Sequence, residues 1–352
     1  MNLKNISILT AVLAVIAGIL WIAQASKGGP IQSELVGEGL LDTQTIAEAN
    51  TIQVFEDQSD SPSVEITKSG DDWTVPGRYG LPADFSKISD LVNELADSKI
   101  IRAVTDNPDR IQTLNIGKTR VVFQKGEETL ADISFGKEGN TQGYFTRVDR
   151  SSKVVLAEEK PFIQTDPEDW SVSTAWDFEW DSVTAISNSD YTFERENAET
   201  DFSIAGSESA LEQTELKTAF SRLTNLRFQD LAPIGNAEVA EAMEHAMTYS
   251  VTLESGESFT FKFGRRPEVK APEKEENEAD ASEESAEDPQ EDIPAGTPYL
   301  IVEQTKASPL WTDIFAKYAL EITSFNFEQL PESLEQFVVK PEPEAPEEEP
   351  NS

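Results

Sequence analysis

The sequence predicts an α+β protein: two tandem similar units, each a mostly antiparallel sheet with one main amphipathic helix, after an N-terminal transmembrane helix. Three observations predict it. An uncharged apolar run lies near the start of the chain. Short strand-like segments alternate with Gly-bearing turns beyond residue 50. That strand-and-helix order then recurs at a constant offset. The 352 residues suffice for about two domains of ordinary size.

Composition narrows the function classes. Acidic residues number 66 against 28 basic ones, a formal charge of -38. Phosphate backbones are held by Lys and Arg displacing counterions, so nucleic acid is not an expected partner. Cysteine is absent, which removes disulfides, thiolate nucleophiles, zinc–thiolate sites and iron–sulfur clusters. His245 is the one histidine, so a multi-histidine metal centre is excluded and one imidazole base remains. No P-loop, H-E-x-x-H, EF-hand or G-x-S-x-G pattern occurs, and no catalytic, cofactor or metal residues are assigned.

The elements follow in order. Ile6–Ala23 carries no charge, and as a helix these residues would rise about 27 Å, close to the hydrocarbon thickness of a bilayer. Trp21 sits near its far end, where an interfacial aromatic belongs. Residues 1–25 read as a membrane anchor, and Ala23-Gln24-Ala25 leaves open a cleavable signal peptide. Either reading exports the acidic remainder. The expected location is the inner membrane, single-pass, with the bulk of the chain periplasmic. Residues 26–50 read as a Gly-containing spacer.

The first unit, 51–165, begins with strands at Thr51–Phe55, Val64–Thr67 and Trp73–Val75, the last after a Gly70-Asp71-Asp72 turn. A helix capped by Asp84 follows, with Ile88, Leu91, Val92 and Leu95 on one face. Strands are expected near 100–104, 120–124, 130–135 and 143–148, with a hairpin turn at Lys125–Glu128. The second unit, 166–330, repeats this order. Leu216, Ala219, Phe220 and Leu223 match the helix face at an offset of 128, and Phe263-Gly264 matches Phe135-Gly136. Glu254–Glu257 echoes the hairpin turn, and Tyr299–Val302 echoes Tyr144–Arg147. An acidic insertion at 267–296 lacks large apolar residues and reads as a disordered loop between two strands. Ser308–Leu320 reads as a helix with Leu310, Trp311, Ile314, Phe315 and Tyr318 in a stripe. Residues 331–352 read as an acidic Pro/Glu tail.

Two constellations invite chemistry. His245, placed on a helix over Glu238–Met247, has no nucleophile or orienting partner in the sequence pattern. The acidic pairs Asp71-Asp72, Glu127-Glu128 and Glu158-Glu159 fall at turns or element ends, where solvated charge is the ordinary explanation. The more informative stretch alternates Trp176, Phe178 and Trp180 with Asp177, Glu179 and Asp181. As a strand it would put three rings on one face. Those rings are candidates for a glycan or partner surface, or for packing where the units meet.

Trp73-Thr-Val75, Pro82-Ala83-Asp84 opening the helix, Leu114-Asn115, Phe135-Gly136-Lys137, Tyr144-Phe-Thr-Arg147 and Asp169-Trp170 recur here in a characteristic order. With one N-terminal membrane segment, the chain resembles the domain of unknown function family 4340 from about Thr51 to Leu320. The resemblance implies a membrane-anchored, extracytoplasmic protein auxiliary to ABC-type transport components of the gliding-motility type. Its expected partners are other proteins of a membrane complex, and it supplies no catalytic residues. The chain departs from the pattern in Phe202, where a second tryptophan is expected, and in the acidic insertion.

Overall fold

The computed structural model describes residues 36–139, 143–149, 153–269 and 292–339. The expected anchor and signal segment, most of the acidic insertion and residues 340–352 of the expected tail lie outside the described residues. Residues 331–339, expected as the start of that tail, instead belong to the second unit, because Leu334 and Phe337 are buried in it. Among the described residues no helix is long and apolar enough to cross a membrane. The chain divides into two compact units, Met1–Val172 and Ser173–Ser352, each built on its own antiparallel sheet.

In the first unit, β1 (Thr51–Glu56), β2 (Val64–Ser69), β3 (Asp72–Val75) and β4 (Leu81–Pro82) form a meander. Helix α1 (Phe85–Asp97) follows, then β5 (Ile100–Thr105) and the short α2 (Pro108–Gln112). The strands β6 (Thr119–Lys125), β7 (Glu128–Glu138), β8 (Tyr144–Val148) and β9 (Val154–Ala157) complete the sheet. Its order is β4-β3-β2-β1-β6-β7-β8-β9-β5. Alternation along β6 and β7 turns Val121, Phe123, Ala131, Ile133 and Phe135 to one face. There they pack with Ile88, Leu91 and Leu95 of α1, as the period of the helix requires. Asp84 caps α1 by accepting from the Ser86 N–H at 3.1 Å, satisfying a donor the helix leaves open.

The second unit contains β10 (Val183–Ser187), β11 (Thr192–Glu194), β12 (Ser203–Ile204), α3 (Gln213–Phe220), β13 (Asp230–Pro233) and α4 (Ala237–Met243). Then come β14 (Met247–Leu253), β15 (Ser258–Gly264), β16 (Tyr299–Gln304), α5 (Pro309–Lys317), β17 (Tyr318–Glu321) and α6 (Ser324–Glu328). The sheet order β12-β11-β10-β14-β15-β16-β17-β13 reproduces the first from β3 onward, position for position. Phe259, Phe261 and Phe263 replace Ala131, Ile133 and Phe135, so an aromatic ladder fills the second core.

Two details show how closely the duplication is kept. A side chain at Gly136 would strike the Leu114 carbonyl, and one at Gly264 would strike the Ala242 carbonyl. Both pairs stand 128 residues apart, so each β7-type strand needs glycine where the loop or short helix crosses it. Each unit also ends by returning to its main helix. In the first, the Asp84 N–H donates to the Trp170 carbonyl at 2.8 Å, and Ala83 bridges Ser171. In the second, the Glu212 N–H donates to the Phe337 carbonyl at 2.8 Å, and Leu211 bridges Val338. Trp170 and Phe337 are both buried.

Four further readings need correction. The stretch taken as spacer joins the first unit from residue 36 on: Leu40 and Leu41 are buried, and the Gly37 N–H donates to the Ile100 carbonyl. The short apolar pair was hidden among glycines and acids. The helix expected to run to Leu320 stops at Lys317, because Tyr318–Glu321 pairs with Asp230–Pro233. The expected helix at Glu238–Met247 stops at Met243, and Met247 already opens the strand β14. The Trp176–Trp180 stretch is not a strand: it joins no ladder, and its last residue opens a single 3-10 turn. The ends of the acidic insertion are held by a pair of 2.9 Å hydrogen bonds between Val269 and Ile293, between β15 and β16.

Candidate functional site

The three aromatic rings do not form one platform. Trp176 is buried in the second unit, 5.0 Å from the Phe261 ring and 6.2 Å from Phe259, and its indole N–H donates to the Leu223 carbonyl at 2.7 Å. Phe178, half-buried, lies 5.1 Å from Phe259. Trp180, also half-buried, lies apart at 5.6 Å from Phe202. The Arg195 guanidinium sits over Phe202 at 4.6 Å and donates to the carbonyls of Val183 and Trp180. So Phe202 takes up a ring-and-cation contact at the position where a tryptophan was expected. Trp180, with the Arg195 guanidinium 5.8 Å from its ring, is the one of the three that lies beside a cation.

A larger opening lies in the first unit at the C-terminal end of α1. A cavity of about 530 Å³ is lined by Glu94, Asp97, Glu158, Glu159, Lys160 and Phe162, among others. The four carboxyl side chains are exposed, and the carbonyl end of the helix adds to their negative potential. The Lys160 ammonium donates to the Thr119 hydroxyl at 3.0 Å. Burial, and then the charge of Lys118, hold it below the usual lysine range. Phe162 is 87% exposed, which for a phenylalanine on a folded unit is an unusual commitment of apolar surface to water. Ser98 fixes the segment behind it, donating to the Glu159 carbonyl at 2.7 Å and accepting from the Glu159 N–H.

The second unit holds an acidic cluster at the base of the insertion. A cavity of about 300 Å³ is lined by Glu238, Glu241, Arg266 and Tyr299. Arg266 donates to the Pro294 carbonyl at 2.9 Å and stands 3.8 Å from the Glu241 carboxylate. Burial, then the charges of Asp230 and Glu238, raise the Glu321 carboxyl above its ordinary value. Burial, then the charges of Glu238 and Glu321, raise the Tyr299 phenol, whose hydroxyl donates to Glu238 at 3.4 Å. A carboxyl raised by burial beside other carboxylates is an ingredient of acid–base chemistry, and it is equally what crowding of like charges produces. Elsewhere, the Tyr249 hydroxyl donates to the Pro331 carbonyl, and burial pushes it up to about 12.

His245 is exposed, past the end of α4. Asp71-Asp72 and Glu127-Glu128 are exposed at their turns, whereas Glu158-Glu159 is brought beside Glu94 and Asp97. Among the described residues no group of three His, Cys, Asp or Glu side chains is arranged to hold a metal ion. Sequence reasoning missed Phe162 altogether. The signal that could have found it is the offset of 128, which sets Glu94 against Arg222 and Asp97 against Asn225.

Comparison with known proteins gives one family. A model of a domain of unknown function, DUF4340, matches residues 73–246, from the Trp73 strand of the first unit to the edge of β14 in the second. No curated protein and no solved structure matches the chain. Over those residues the chain resembles the DUF4340 family.

Proposed function

We propose that this protein is a non-enzymatic, membrane-anchored accessory or scaffold protein of the cell envelope, an auxiliary subunit of an ABC-type transport system. Ile6–Ala23 anchors it, and the two units stand on the periplasmic side. The observation that carries the reading is the pairing of that apolar run with a duplicated antiparallel unit of strong negative charge. Duplicated sheets offer broad, rigid surfaces for protein contacts. Family resemblance adds the transport setting. The test is purification of the full chain from native membranes in mild detergent. Transport-system subunits recovered with it at fixed stoichiometry support the reading. Recovery of the protein alone, soluble and beginning at Ser26, overturns it.

A second reading, a cell-envelope glycan or peptide binder, is favoured by the half-buried Trp180 beside Arg195 and Phe202. Sugar faces stack on such rings. Titration of the protein with cell-wall glycan fragments, read by tryptophan fluorescence, tests it. A Trp180→Ala variant that loses a wild-type response supports the reading, and an unresponsive wild-type protein ends it.

A further inference from the structure

The two units meet the same local problem at the end of their main helix in opposite ways. In the second unit, Phe325 lies four residues past β17, on α6, and is 64% exposed. The Arg222 guanidinium, just beyond α3, sits over its ring at 5.6 Å. In the first unit, Phe162 lies five residues past β9 and is 87% exposed. The position matching Arg222 holds Glu94, and the one matching Asn225 holds Asp97. Both acids line a cavity with Phe162, and Lys160, the cation in that lining, turns its ammonium to Thr119. Each unit thus carries an exposed ring shortly after the matching strand, five residues on in the first and four in the second. The second sets a cation over its ring, and the first sets carboxylates in the cavity that its ring lines.

We infer that the groove of Glu94, Asp97, Glu158, Glu159 and Phe162 docks an arginine-bearing segment of a partner protein, whose guanidinium takes the place that Arg222 fills in the second unit. The chemistry is complementary on each side. A planar guanidinium stacks on an aromatic face and donates from its edge to carboxylates. The helix end favours positive charge. The cavity has room for an extended side chain and its neighbours. The net charge of -38 steers basic segments toward the protein, while the ring gives this groove a preference that exposed acids alone lack. The inference rests on the accessory reading in requiring a protein partner, and it deepens that reading by naming the partner's chemistry.

A fluorescein-labelled peptide containing Leu-Arg-Leu-Arg, and its citrulline analogue, test this by polarisation on the full chain in detergent at near-physiological salt. The arginine peptide binds, and the neutral analogue binds about tenfold more weakly. Phe162→Ala weakens the arginine peptide several-fold, as the ring face is lost. Glu94→Arg, which supplies an internal cation as in the second unit, weakens it about tenfold. Glu254→Arg, at a turn of the second unit, makes the same charge change and leaves binding unaltered. Thermal unfolding of the two groove variants matches the parent, since both side chains are exposed. Absence of binding, equal binding of the citrulline peptide, or equal losses from Glu254→Arg and Glu94→Arg would each overturn the proposal. Phe162-dependent binding to phosphatidylethanolamine vesicles in place of the peptide would also overturn it, assigning the groove to a lipid surface. None of these outcomes bears on co-purification with transport subunits, so the accessory reading is decided separately.

Discussion

At the end of its main helix the first unit places Glu94 and Asp97, whereas the second places Arg222 and Asn225 at the matching positions. The sheets around them are the same in order, and so are the crossing glycines and the clamp of the helix start. The difference teaches that duplication has preserved what folding needs and released what folding does not. Core ladders, close backbone approaches and helix capping by the returning chain are kept. Exposed side chains at the helix end have diverged in charge.

That comparison can be broken most forcefully at the clamps. Trp170→Ala removes a buried ring and costs about 3–5 kcal/mol. Phe337→Ala, which loses contacts with Phe193 and Phe220, costs a similar amount in its own unit. Hydrogen exchange resolved by segment should show faster exchange across β1–β9 in the first variant and across β10–β17 in the second. Uniform loss in both units for either variant would contradict independent clamps.

Next in size is a feature found in the first unit alone. Arg120 reaches Asp132 through two hydrogen bonds at 2.8 and 2.9 Å, and Asp132 is buried. The matching residues in the second unit are Thr248 and Thr260. Asp132→Ala leaves a partly buried guanidinium above Phe55 without its carboxylate and should cost about 3 kcal/mol by chemical denaturation. Thr260→Ala should cost well under 1 kcal/mol. Equal effects would mean that the ion pair adds nothing to the shared sheet.

The helix starts offer a smaller test. Asp84 caps α1 with its side chain, whereas Glu212, 128 residues on, makes no side-chain cap. Asp84→Ala should lose about 1 kcal/mol and Glu212→Ala almost nothing. The smallest expected effect is a pH dependence confined to the second unit. Burial and neighbouring acids raise the Glu321 carboxyl above its ordinary 4.5, so the folded state binds its proton more tightly than the unfolded chain does. That contribution to stability is complete below the unfolded value and is lost as pH rises through the folded one. Glu321→Gln should therefore stabilise slightly at pH 7, with the advantage gone below about pH 4.

Much of the fold was legible because it is written locally. The α1 face, the Asp84 cap and the Lys125–Glu128 turn are patterns within short windows, and the offset of 128 repeats such windows along the chain. What escaped depends on distant partners. Tyr318–Leu320 continues the apolar period of a helix, and only Asp230–Pro233 makes it a strand. The alternation at Trp176–Trp180 suits a strand, yet it finds no ladder, and its rings instead reach Phe259, Phe261 and Phe202 separately. Leu40 and Leu41 are only a short apolar pair until α1 and β5 form around the segment. The groove was illegible for a further reason. Phe162 in a loop has no periodicity to report its exposure, and its meaning emerges only beside Phe325 and Arg222.

The most direct test of the central claim places a photoreactive phenylalanine analogue at position 162, and separately at 325, in the full chain expressed in its native membranes. Irradiation should give discrete protein adducts from position 162 and few from 325, with the adducts at 162 lost when Glu94→Arg is added. Equal adducts from both positions, or none from 162, would contradict the account that the first unit's groove receives a partner while the second supplies its own cation.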